Sequence, residues 1–153
     1  MNDFEPRIVA FFCNWCTYVA ADAAGVARYV QKPNMRVIRV FCSGMVDPSY
    51  VVKAFASGAD GVMIGGCFPG DCHYLTGNIK ALRRSFLLKK LLTELGIEEG
   101  RFQLEWIAAS EAPQYAKFVN KMVEEVRQLG PYVPRKIKSP QVPSETNLTK
   151  GVA

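Results

Sequence analysis

Arg7-Ile8-Val9-Ala10-Phe11-Phe12-Cys13 is a continuous apolar run of strand length that ends on a cysteine. A strand covered on one face alternates apolar and polar residues. This one does not, so it reads as a strand buried on both faces, as in a parallel sheet with helices on either side. The sequence that follows agrees. Thr17 to Val30 carries Val19, Ala23, Val26 and Val30 on one side of a helix, and Pro33-Asn34 breaks the chain after it. A second strand, Arg36 to Cys42, again ends on a cysteine. Asp47 is placed to cap a short helix from Pro48 to Ala56, with Pro48 at the first helical position and Gly58 as its stop.

The third strand, Gly61 to Cys67, runs into the turn-rich stretch Phe68-Pro69-Gly70-Asp71-Cys72. A long helix is predicted from Thr76 to Leu95, with Ile79, Leu82, Phe86, Leu88, Leu91 and Leu95 inward and Gly96 as its end. Phe102 to Ala108 is the fourth strand. Ser110 then caps a helix with Pro113 in its first turn and Tyr115, Phe118, Val119, Met122 and Val126 on its apolar face, stopping at Gly130-Pro131. Strict strand–helix alternation implies right-handed crossovers. The expected fold is α/β, a three-layer α/β/α sandwich on a four-stranded parallel sheet of the flavodoxin-like kind. Residues 1–130 form one domain. Residues 131–153, rich in Pro, Lys and Ser, form an extended C-terminal arm with no core of its own.

Composition excludes more than it assigns. The 153 residues are 49% hydrophobic and 22% charged, ordinary for a globular domain long enough to bury a core. No window reaches the ~18 to 20 apolar residues of a membrane span. The N-terminus carries Asp3 and Glu5 ahead of Arg7, the wrong charge for a secretory signal, so a cytoplasmic location is expected. The net charge of +5 is concentrated in the arm, where Arg135, Lys136, Lys138 and Lys150 face only Glu145. Such a tail reads as a solvated or docking segment, and no nucleic-acid-binding signature accompanies it. Lys80, Arg83, Arg84, Lys89 and Lys90 form a basic run without an acid, read as a solvated helix face or a docking surface for an acidic partner. Neither a dinucleotide fingerprint nor a Walker sequence is present.

The cysteines carry the chemistry. All five, Cys13, Cys16, Cys42, Cys67 and Cys72, lie in the first half of the chain. Cys13, Cys42 and Cys67 each close a predicted strand, and the carboxyl ends of strands in an open α/β sheet form one ligand-binding edge. With neighbouring strands about 4.8 Å apart, the three converge on one crevice if their strands are adjacent. Cys16 is expected one turn into the next helix and Cys72 on the loop after Cys67, so all five reach one pocket. Soft thiolates select iron–sulfur clusters or zinc. Helix N-termini at this edge favour thiolates, and Gly65-Gly66 and Gly70 let backbone amides approach sulfur. His73 is the only histidine; it reads best as a hydrogen-bonding or partner-facing residue, since one imidazole cannot complete a Rieske set. Trp15 and Tyr74 flank the thiols and shield them from water. Trp15, Gly66, Gly70 and His73 are therefore the expected supporting residues around the site.

Phe12-Cys13-Asn14-Trp15-Cys16, Cys42-Ser43-Gly44 with Val46-Asp47-Pro48, Gly58-Ala59-Asp60-Gly61-Val62, and Gly66-Cys67-Phe68-Pro69-Gly70-Asp71-Cys72-His73-Tyr74 together resemble the methyl-viologen-reducing hydrogenase delta-subunit family, over about residues 6 to 130. The resemblance implies a non-catalytic electron-transfer subunit carrying a [2Fe–2S] cluster on four of the five cysteines. It implies a relay to the flavin-containing A subunit of heterodisulfide reductase in an electron-bifurcating complex of methanogens. The donor would be the small subunit of a nickel–iron hydrogenase, or a formate dehydrogenase. Met45 stands where that family usually has a basic residue, and Phe68 where it usually has histidine, which bears on hydrogen bonding or partner choice near the cluster.

Two other readings stand beside it. A thiol–disulfide oxidoreductase would use Cys13 and Cys16 and leave three cysteines idle. A zinc module would hold four thiolates, but such sites usually pair two short-gap motifs on small ribbons. Local spacing pairs Cys13 with Cys16 and Cys67 with Cys72, whereas strand-end geometry groups Cys13, Cys42 and Cys67.

Overall fold

The computed structural model describes residues 4–134. The alternation is present throughout: β1 (Ile8–Cys13), α1 (Thr17–Val26), β2 (Met35–Val40), α2 (Pro48–Ala56), β3 (Gly61–Gly66), α3 (Gly77–Glu94), β4 (Phe102–Trp106) and α4 (Ala112–Leu129). Every pairing is parallel, and the strand order is β2-β1-β3-β4. Because successive strand residues point to opposite faces, β1 feeds two cores. Ile8, Ala10 and Phe12 pack with Ala20 and Ala24 of α1 and with Tyr115, Val119 and Met122 of α4. Phe11 packs with Val62 and Ile64 of β3, Val51 and Phe55 of α2, and Leu88 and Leu92 of α3. The result is the three-layer, flavodoxin-like sandwich. No helix among the described residues is long and apolar enough to cross a membrane.

The punctuation residues behave as their chemistry requires. Asp47 accepts the Ser49 N–H at 2.9 Å, and Pro48 opens α2. Gly58 and Gly96 take φ of 91° and 78°, left-handed conformations that close α2 and α3 at little steric cost. One cap differs from expectation. Glu111, not Ser110, immediately precedes α4, and its carboxylate accepts the Ala108 N–H at 2.8 Å.

Two helices are rotated relative to the predicted faces. α1 ends at Val26 and buries Thr17, Ala20 and Ala24, leaving Val19, Val26 and Val30 exposed. α3 buries Ala81, Ser85, Leu88 and Leu92, while Phe86, Leu91 and Leu95 are exposed. Hydrophobicity picks out the larger residues, but a helix lying close on a sheet needs small ones at the contact. β2 is one edge of the sheet and is largely exposed; it ends at Val40 rather than continuing to Cys42.

A polar joint closes the end of the sheet away from the cysteines. Arg101, 1% exposed, pairs with Glu98 at 2.6 Å and donates to the carbonyls of Asp60, Leu129 and Gly130 at 3.0, 3.3 and 2.9 Å. The Asp60 carboxylate accepts the N–H groups of Arg7 and Tyr132, both at 2.9 Å. Tyr132, the second residue of the proposed arm, thus packs on the domain, its ring edge-on to Phe55. Residues 135–153 of that arm lie outside the described residues. Replacing Arg101 with Ala leaves three carbonyls without their buried donor, and is expected to destabilise the fold by about 3 kcal/mol. Urea unfolding would show it as a lower midpoint.

Candidate metal centre

The strand order places β1 between β2 and β3, so the three cysteine-bearing strand ends are adjacent. Cys13, the last residue of β1, lies opposite Val40, and Phe12 lies opposite Gly65. Cys67 is therefore one residue beyond the end of β3 and Cys42 two beyond β2. Cys42 has left the sheet to cap the short turn Ser43–Met45, where its sulfur accepts the Gly44 N–H at 3.4 Å. Cys16 is the N-cap of α1 rather than a residue inside it. Cys72 lies in the loop before α3. All five are free thiols, and all are buried.

The sulfurs form two neighbouring groups. Those of Cys13, Cys16 and Cys67 lie within 4.8 Å of one another, the spacing of ligands to one metal. Cys13 and Cys67 are 3.7 Å apart, and Cys42 and Cys72 are 3.8 Å apart. Cys13 and Cys16 are together, as local spacing suggests, but Cys67 joins them while Cys72 pairs with Cys42. The groups also sense each other, since a charge on Cys13 opposes ionisation of Cys42 and one on Cys72 opposes that of Cys67.

Individual thiols differ sharply. Cys13 is brought down to about 5, chiefly by the Cys16 thiol donating to its sulfur, against burial and with help from the Trp15 and Ser43 amides. Cys16 is correspondingly pushed up, first by that donation and then by burial. Burial raises Cys67 to about 11 and also raises Cys42. Burial opposes ionisation at Cys72 too, but the amides of Asn78, Tyr74 and Gly77 and the Cys42 thiol leave it below its ordinary value. The amides of Gly77 and Asn78 are the first N–H groups of α3, so this sulfur sits on a helix N-terminus.

A bound soft cation suits this environment, because coordination deprotonates thiols that are otherwise mutually opposed. Two further observations fit such a group. The backbone of Gly77 is so close to the sulfurs that a Cβ there would overlap Cys42 Sγ and lie 3.2 Å from Cys72 Sγ. The Ser43 hydroxyl is fully buried beside this set with no hydrogen-bond partner.

The residues expected around the thiols fall into two sets. Trp15 stacks on His73 with ring centroids 3.8 Å apart, and His73 meets Tyr74 edge-on at 5.0 Å. All three are exposed on their outer side. Gly66 lies at the centre, where a Cβ would come within 2.7 Å of both Ser43 Oγ and Trp106. Gly70 turns the loop with φ 97°, and a Cβ there would meet nothing within 4 Å. Sequence reasoning assigned no role to Ser43, Gly44, Gly77 or Asn78. Asn78 is buried and donates to the carbonyls of Cys67 and Phe68 at 3.1 and 2.6 Å, tying the loop to α3. Arg84, from the basic run, donates to the carbonyls of Gly44 and Val46 at 2.7 and 3.2 Å and so holds the turn after Cys42. The signal was the cluster of small and polar residues immediately after Cys42 and before the long helix.

Two clefts open onto the thiols. One, about 310 Å³, reaches Cys42 past Phe41, Met45, Tyr74 and Lys80. The other, about 350 Å³, reaches Cys16 and Cys67 past Trp15, Phe68 and His73.

Residues 8–130 match the family model described as methyl-viologen-reducing hydrogenase, delta subunit. The chain belongs to this family. The span matched to the delta-subunit family contains all eight strands and helices and all five cysteines. Relatives bear this out. The iron-sulfur D subunit of the F420-non-reducing hydrogenase of Archaeoglobus profundus is 55% identical over 131 residues, 86% of this chain and 96% of that protein. The iron-sulfur D subunit of the F420-non-reducing hydrogenase vhc of Methanococcus voltae is 52% identical over 130 residues, covering 85% and 90% of the two chains. The chain is also similar to part of a much longer protein, the A subunit of the ferredoxin/F(420)H(2)-dependent CoB-CoM heterodisulfide reductase of Methanosarcina acetivorans. That match is 42% identical over 126 residues, which are 82% of this chain but 16% of the reductase polypeptide.

Proposed function

We propose that this delta-subunit family member is a non-catalytic electron-transfer protein. In this reading it holds a [2Fe–2S] cluster on four of Cys13, Cys16, Cys42, Cys67 and Cys72. It relays electrons from a hydrogenase or a formate dehydrogenase to the A subunit of heterodisulfide reductase. The observation that carries the reading is the gathering of five buried free thiols at one sheet edge. The names of the relatives as iron-sulfur subunits of hydrogenases support it. The A subunit of one heterodisulfide reductase contains a stretch similar to this whole domain, which supports that protein as the partner.

An iron–sulfur cluster supplies one-electron chemistry whose potential responds to charge, hydrogen bonds and solvent exposure. Around it, the chain's own residues have separate tasks. The thiolates bind iron. The amides of Gly44, Gly77 and Asn78 offset the negative charge on sulfur. The stacked Trp15 and His73 rings line the approach to Cys16 and Cys67, and Tyr74 lines that to Cys42. The two clefts give approaches to different thiols, which suits a carrier that meets a donor and an acceptor.

Burial works against the dithiol-exchange reading. Cys13 and Cys16 are 1% and 5% exposed, so a disulfide of another protein has little access to either sulfur. Anaerobic purification decides between them. The expected product is brown, with iron and acid-labile sulfide in near-equal amounts and a paramagnetic signal after reduction. A colourless, iron-free protein that reduces disulfides would sink the proposal.

A further inference from the structure

Among the described residues, Ser43 Oγ is the one fully buried side-chain nitrogen or oxygen without a hydrogen-bond partner. The residue is 1% exposed, so solvent does not supply a partner. A buried hydroxyl left unpaired costs about 1–3 kcal/mol, and an orphan of this kind in a folded protein calls for a specific explanation. Other buried polar side chains nearby have partners. Ser85 Oγ donates to the Ala81 carbonyl at 2.9 Å, Asn78 bonds to two carbonyls, and Thr17 Oγ1 lies 3.7 Å from Cys16 Sγ.

The position of Ser43 is as telling as its lack of a partner. It directly follows Cys42 and opens the turn Ser43–Met45. Its own amide points at Cys13 Sγ. Its hydroxyl lies against Gly66, the residue before Cys67, at a distance where a Cβ on Gly66 would come within 2.7 Å. The hydroxyl is thus enclosed among the backbones that carry three of the cysteines. Yet no cysteine sulfur lies within hydrogen-bonding reach of it. Gly66, lacking a side chain, leaves room for the hydroxyl, and Arg84 holds the turn after Cys42 through the carbonyls of Gly44 and Val46. A donor fixed in this way is preorganised for an acceptor that belongs to the site and not to the polypeptide.

We propose that the Ser43 hydroxyl donates a hydrogen bond to a sulfur of the iron–sulfur group held by the cysteines, and thereby raises its reduction potential. The inference rests on the proposed function above and names a residue that tunes it. The reduced group carries one more negative charge than the oxidised one. A donor aimed at its sulfur stabilises the reduced form more, so removing the donor lowers the potential. Ser43 is a positioning and tuning residue here, with no bond to iron.

The test compares the wild-type chain with Ser43→Ala, both loaded anaerobically. Midpoint potentials are read by EPR-monitored titration, and exchangeable protons near the reduced group by ENDOR in H2O and D2O. The expected result is an unchanged iron and sulfide content, a lower midpoint in Ser43→Ala, and the loss of one exchangeable-proton coupling while those of the backbone amides persist. Equal midpoints and identical couplings would overturn the inference. A folded Ser43→Ala chain that takes up no iron would overturn it as well, pointing to direct ligation by the hydroxyl. Should Ser43→Ala not fold, Ser43→Gly replaces it and is read by the same criteria. A wild-type chain without an iron–sulfur signal would refute the proposed function itself, an outcome distinct from all of these.

Discussion

Cys13→Ser and Cys67→Ser are each expected to abolish cluster loading, with metal affinity falling by more than about 100-fold, a loss that even changes one step removed from a metal can reach. These two thiols belong to the set of three within 4.8 Å and lie 3.7 Å from each other. Cys13 also ends β1, which is paired on both sides, so the backbone carrying its sulfur is held in place. The apoprotein fold should survive, because serine is nearly isosteric and its buried hydroxyl costs only about 1–3 kcal/mol. Circular dichroism would show retained structure while iron and sulfide assays fall to background. Cys16→Ser, Cys42→Ser and Cys72→Ser complete the series, and the one variant that still loads identifies the fifth thiol. Normal loading of both Cys13→Ser and Cys67→Ser would rule out this site.

Gly77→Ala should also prevent loading, although by helix propensity it ought to help. Alanine in a helix is favoured over glycine by about 1 kcal/mol. At Gly77, however, the new Cβ would overlap Cys42 Sγ and press on Cys72 Sγ. Gly44 packs against the same backbone, where its own Cβ would fall 2.5 Å from the Gly77 carbonyl oxygen. The turn after Cys42 and the start of α3 are thus in backbone contact, and neither can move aside without the other. Relief must come from displacing Cys42 or lifting the first turn of α3, which withdraws the amides from Cys72. Gly25→Ala in α1 is the matched control, since a Cβ there meets nothing. It should load normally and melt slightly higher. Equal iron content in the two variants would show that the close approach at Gly77 is not needed.

Much of this molecule was legible in one dimension because its signals are local. The unbroken apolar run of β1 implied burial on both faces, and the sheet order then delivered it. Asp47-Pro48, Gly58 and Gly96 mark helix ends through properties of single residues: a side-chain acceptor, a fixed φ and a tolerated positive φ. Helix faces were less legible. Val19 and Val26 of α1 and Phe86 and Leu91 of α3 are apolar at helical spacing, yet they face outward. Their helices meet the sheet through Ala20, Ala24, Ala81 and Ser85, and small size at a contact leaves no mark on a hydrophobic pattern.

The candidate site divides in the same way. Residue type and strand-end placement were enough to say that five cysteines belong to one edge, because in a parallel α/β sheet every strand's carboxyl end lies on the same side. Which sulfurs are neighbours depended on strand order and on how each loop leaves the sheet. β1 lies between β2 and β3, so Cys13 meets Cys67, while the turn at Ser43 carries Cys42 over to Cys72. The amide cradle at Gly77 and the unpartnered hydroxyl of Ser43 likewise arise from contacts between segments distant along the chain. Sequence alone determined the kind of chemistry, since that resides in the thiols. Tertiary structure decided its arrangement, since distances between sulfurs are set by packing across the sheet and not by spacing along the chain.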